Sequence, residues 1–116
     1  MSAKENYVFI VVGDDVNDLS VETKTTTDSM STYDGPSWGS ADAELRLCRV
    51  GGDFYLTKRV VGTLVWAPPI HFARPDLPGT LEVGPNAYTL TAPDLTVTFD
   101  EVVFAKVAGV ADCDKD

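Results

Sequence analysis

This chain of 116 residues holds only two cysteines, one histidine and nine basic residues. Cys48 and Cys113 stand far apart and fit no metal or redox spacing, a usage that suits a reducing compartment. His71, between Ile70 and Phe72, has no serine or cysteine motif beside it, and no Gly-x-Ser-x-Gly occurs, so no partner for a catalytic base is on display. Gly51-Gly52 lacks the lysine and helix of a phosphate loop, and Gly-x-Gly-x-x-Gly is missing too, which argues against nucleotide chemistry. Asp14, Asp15, Asn17 and Asp18 crowd together without the glycine and bidentate glutamate of a twelve-residue calcium loop, and read as turn residues. The expectation is a protein with no catalytic residue, no metal and no cofactor.

Long apolar runs are missing as well. Nothing approaches the roughly 18 residues that cross a bilayer, and residues 7–12 are short even for a signal-peptide core. The compartment expected is therefore the cytoplasm, or a particle made there. Nine basic residues against 18 acidic ones leave a net charge of −9, which disfavours direct binding to nucleic acid or to anionic membrane and points to neutral or basic partners.

Helical periodicity is the last absence, since no stretch of ten residues carries it. Nine glycines and seven prolines instead punctuate short segments rich in Val, Thr, Tyr and Phe. This pattern predicts an all-β chain, a single-domain antiparallel sandwich or partly closed barrel of about seven short strands over residues 1–108. Residues 7–12 are apolar throughout and predict a central strand covered on both faces. Residues 19–27 alternate as a half-exposed strand does.

A two-residue primed turn at Gly51-Gly52 sets Val50 opposite Asp53. Leu47 then faces Leu56, Arg49 faces Phe54, and Glu44 faces Arg59 as a cross-strand ion pair. Turns at Pro85-Asn86 and Pro93-Asp94 predict a C-terminal meander whose core face holds Leu81, Val83, Tyr88, Leu90, Val97 and Phe99. Residues 102–107 predict one more strand, and 109–116 a flexible acidic tail.

Two segments resist the pattern. Residues 28–42 and 67–79 read as long loops, and loops of that length in a small domain commonly carry function. The first contains Met30, Tyr33 and Trp38, the residue types that anchor interfaces.

Charge is uneven along the chain. Residues 13–44 carry eight acids and one lysine, residues 45–74 one acid and five basic residues, and residues 75–116 eight acids and two lysines. An acidic chain with a basic centre suits contact with further copies or with a protein partner. Arg46, Arg49 and Arg59 in that centre join Trp38, Tyr33 and Met30 as candidate partner-binding residues. The function expected is a non-enzymatic protein–protein interaction module, most simply a structural or assembly subunit. The alternative is an acidic inhibitor that mimics nucleic acid in a basic groove. In texture, though in no motif, the chain resembles small virion and phage-particle β-proteins.

Overall fold

The computed structural model describes residues 5–15, 18–34, 43–85, 98–99 and 101–114. They form two three-stranded antiparallel sheets with almost no helix, as an all-β chain should. Among the described residues there are six strands and no closed barrel.

The first sheet runs in the order β1 (Tyr7–Asp15), β2 (Asp18–Thr27), β3 (Met30–Asp34). The apolar run is a strand, but it lies at an edge and not in the centre. Two-residue connections pair β2 with both its sequence neighbours, so β2 takes the middle place. Two kinds of contact explain why β1 is apolar on both faces: Val8 and Ile10 pack on the core, while the Tyr7 and Phe9 rings meet edge to face at 6.3 Å.

The reading of residues 28–42 as one loop is corrected by β3. The chain reverses at Asp28 and Ser29, whose φ of 51° and 69° give the two left-handed residues of a tight hairpin. Neither is glycine, which hid the turn from the sequence reading. Hydrogen bonds from outside the hairpin hold it: the Asp28 amide donates to Asn6 Oδ1 at 3.0 Å, and Ser29 exchanges bonds with the Glu5 backbone at 2.8 and 2.9 Å. Residues 35–42, with Trp38, lie outside the described residues.

In the second sheet β4 (Ala43–Val50), β5 (Asp53–Val60) and β6 (Ile70–Ala73) follow one another. The β4–β5 register is the one expected, with Val50 opposite Asp53, Leu47 opposite Leu56 and Glu44 opposite Arg59. Its two glycines serve separate needs. Gly51 supplies the positive φ of 61°. At Gly52 a Cβ would stand 3.0 Å from Pro75 Cα, so the loop after β6 can close over the turn only because that position is bare.

The proline-rich loop of 67–79 is likewise corrected, since residues 70–73 pair with β5. Pro68 and Pro69 have no N–H to give, so ladder pairing lapses between the Ala67 amide, bonded to Lys58 O at 2.8 Å, and Ile70 opposite Leu56. A four-residue strand behind two prolines leaves too little periodicity to read.

Phe54, Leu56 and Leu77 form the buried cluster, with Val8, Ile10, Phe72 and Leu81 against it. The expected apolar face of the hairpin is thus only half used: Leu45 and Leu47 remain exposed, whereas Cys48 and Thr57 on the opposite face are buried. Both faces receive partial cover, one from β1 and the other from the chain's C-terminal end.

The C-terminal strands fare worst. Residues 81–85 form no strand; Leu81 reaches the core, but Val83 and Phe99 are exposed. Tyr88, Leu90, Val97 and the turn at 93–94 lie outside the described residues. Residues 101–107 also form no strand: their β propensity is not matched by pairing with an edge of either sheet. The flexible tail expected from 109 onward is corrected through residue 114, where Val110–Asp114 forms a 3-10 turn joined by a Cys48–Cys113 disulfide to β4.

Candidate functional site

The side chains that β4 and β5 turn away from the core make the most organised surface among the described residues. Glu44, Arg46 and Cys48 alternate along β4 and face Arg59, Thr57 and Tyr55 on β5. Across them lies Trp66, whose ring centroid is 4.1 Å from the Arg46 guanidinium and 4.5 Å from that of Arg59. A guanidinium near the indole face is attracted by its quadrupole, and two do so here. Arg59 also donates through Nε and Nη2 to one oxygen of Glu44 at 2.7 Å, the ion pair expected from the register. Arg46 Nη1 donates to Cys113 O at 2.8 Å, which ties the stack to the disulfide. The Thr57 hydroxyl donates to the carbonyl oxygen of Ala67, the residue after Trp66.

One row along, Tyr55 stacks on His71 at 4.9 Å and 17°, and His71 Nε2 meets Asp53 Oδ1 at 2.8 Å. The histidine therefore has a carboxylate partner that sequence did not display. Both side chains are nearly half exposed, 48% and 47%. Such a pair lacks the enclosed, low-dielectric setting in which a base and its orienting acid gain catalytic force. No group of three or more potential metal ligands occurs among the described residues.

On the core side, Arg49 lies 5.2 Å from the Phe54 ring and donates to three carbonyls, Gly51 O, Pro78 O and Leu77 O, at 2.8, 2.7 and 3.2 Å. It closes the residue 77–78 loop over the hairpin. Arg49 also borders an open groove of about 320 Å³ shared with Leu47, Phe54, Leu81 and Val83.

All three candidate arginines thus have intramolecular partners, Arg46 and Arg59 sharing one face and Arg49 standing on the other. Met30 is 78% exposed at the start of β3, and Tyr33, also in β3, pairs with Lys24 of β2. Trp38 lies outside the described residues, so the structure does not bring the six candidates together.

Sequence reading passed over Arg74. It is 4% exposed, and Nη1 donates to Tyr7 O, Thr25 Oγ1 and Thr26 O at 3.2, 2.7 and 2.7 Å. Nη2 reaches Asn6 Oδ1 at 3.3 Å and Asp76 Oδ2 at 2.7 Å, and Nε reaches Asp76 Oδ1 at 2.9 Å. One guanidinium from the loop after β6 thereby joins the two sheets. The hydrogen bond from Arg74 holds the Asp76 carboxyl below its ordinary 3.8, and the same bond raises the arginine. The sole sequence signal was an arginine two residues before an aspartate.

No family model, curated protein or solved structure matches this chain.

Proposed function

We propose that the protein is a non-enzymatic structural or assembly subunit, its two sheets forming an open sandwich completed by contact with other chains. The observation that carries this is the unburied surface. Among the described residues Leu64, Val65, Val103 and Phe104 are 88%, 79%, 71% and 67% exposed. Apolar surface on this scale marks association. Met30, Tyr33 and Trp38 are proposed as anchors at the same kind of contact.

The Cys48–Cys113 disulfide supports a setting in which cystine persists, such as a particle that leaves the cytoplasm. Among the described residues no helix is long and apolar enough to cross a membrane.

Light scattering over concentration and ionic strength tests the proposal. Ordered oligomers are expected. A monomer that binds a basic nuclease and releases it at high salt would instead support the acidic-inhibitor reading, which draws on the net charge of −9.

A further inference from the structure

We infer that residues 101–114 form a redox strap, pinned on β4 by the Cys48–Cys113 bond in the oxidised chain and released from it in the dithiol form. The inference goes beyond the association reading, since it concerns a single chain. The two cysteines stand on elements of different kinds. Cys48 lies inside β4, paired with Tyr55 of β5, and the ladder holds it in place whatever its redox state. Cys113 sits on a turn that closes on itself: the Asp112 amide donates to Gly109 O at 3.0 Å, and the Ala108 amide donates to Asp112 Oδ2 at 2.9 Å. Such a turn can move as a unit.

Little besides the cystine holds the strap. Among the described residues no backbone hydrogen bond joins 101–114 to either sheet, and from β4 the Arg46 side chain reaches it, Nη1 donating to Cys113 O at 2.8 Å. Residues 101–106 are all exposed, with Val103 and Phe104 at 71% and 67%. Ordering a segment of this length costs backbone entropy that so little burial and a hydrogen bond of modest net worth do not offset. The covalent bond therefore decides where the strap lies.

Closure is thiol–disulfide exchange with a small disulfide oxidant such as oxidised glutathione. One cysteine thiolate attacks the oxidant, whose S–S bond breaks to release a thiolate and leave a mixed disulfide; the second cysteine then displaces the other thiolate. The protein gives up two electrons and two protons, and the oxidant becomes two thiols. Opening is the reverse with a thiol reductant, and it is slow, because Cys48 and Cys113 are each 6% exposed in the closed chain and an attacking thiolate reaches them poorly. A chain made where thiols predominate thus carries the strap free, and the strap closes on passage to a setting in which cystine persists. The open form withdraws the Cys113 carbonyl from Arg46 and lets Val103 and Phe104 reach beyond the sheet.

Amide nitrogen relaxation by NMR on the full chain, oxidised and then reduced with a phosphine, tests the strap. Residues 108–113 are expected to show order parameters of about 0.85 in the oxidised chain, as β4 does, and below about 0.6 in the reduced one. Strands β4 and β5 should stay ordered in both. Cys113→Ser in oxidising buffer should match the reduced chain, whereas oxidised Arg46→Ala should keep the strap ordered. Oxidised glutathione added to the reduced chain should restore the order, with a mass lower by two hydrogens and no cross-linked dimer. A strap equally ordered, or equally mobile, in the oxidised chain, the reduced chain and Cys113→Ser overturns the inference. So does loss of β4–β5 order on reduction, which would make the bond a staple of the whole fold, or release of the strap by Arg46→Ala alone. None of these outcomes bears on whether chains associate, which light scattering reads separately.

Discussion

Arg74 is a charge buried between two sheets, and it is tolerated there because carbonyl, hydroxyl and carboxylate oxygens surround its fork. Removing it leaves Tyr7 O and Thr26 O without that donor. Arg74→Ala should therefore cost on the order of 3 kcal/mol in urea unfolding. Arg74→Lys should recover little, because a single ammonium cannot span Asp76 and the β1–β2 backbone together. The pH dependence follows from Asp76. Its folded value lies below the ordinary 3.8, so its contribution is complete above that pH and vanishes as pH falls through the lower folded value. Unfolding curves of wild type and Asp76→Asn should converge as the medium is acidified below 3.8 and stay separate at neutral pH.

Two adjacent glycines at the β4–β5 turn, scaled up to the element, give opposite expectations for alanine and asparagine. At Gly51 the obstacle is the positive φ of 61°, and the surrounding space is open. Gly51→Asn should be nearly neutral, since asparagine visits that region, while Gly51→Ala should cost about 1 to 2 kcal/mol. At Gly52 the obstacle is Pro75, with Cα 3.0 Å from where a Cβ would stand, so alanine and asparagine alike must push the loop outward. Thermal unfolding of the four-variant set, alanine and asparagine at each position, separates conformational strain from steric contact; equal losses at both positions would refute the distinction. The β4–β5 hairpin was legible because both strands alternate and the turn is glycine on both sides of its midpoint. The β2–β3 hairpin was not, because Asp28-Ser29 reaches left-handed geometry without glycine and takes its hydrogen bonds from Glu5 and Asn6, far away in sequence.

For the whole molecule the disulfide is decisive. It closes a separation of 65 residues, for which the chain-entropy account gives a stabilisation of roughly 4 kcal/mol. Reduction, or Cys113→Ser, should lower the unfolding midpoint accordingly, and hydrogen exchange should show Val110–Asp114 losing protection before either sheet does. Among the described residues the cross-link and the Arg74 bridge tie together segments far apart in sequence, the first joining Val110–Asp114 to β4 and the second joining the loop after β6 to β1 and β2. A reduced protein that melts at the same temperature as the oxidised one would contradict the stabilisation ascribed to the disulfide.

What the sequence determined by itself is local: β character, the paired register of the Gly51-Gly52 hairpin, the Glu44–Arg59 ion pair that the register implies, and the strand nature of residues 7–12 and 19–27. The register and the strand at 19–27 follow from alternation along neighbouring stretches of chain, where a slip of one residue inverts both faces, and the strand at 7–12 follows from its unbroken apolar run. The tertiary structure alone decided which faces are covered and which groups far apart in sequence meet. Cys48 with Cys113, Arg74 with Tyr7 and Thr26, Trp66 beneath Arg46 and Arg59, and His71 with Asp53 are all of that kind. Periodicity carries no information about them, because it records how each side chain points from its own strand and nothing of what another part of the chain brings against it.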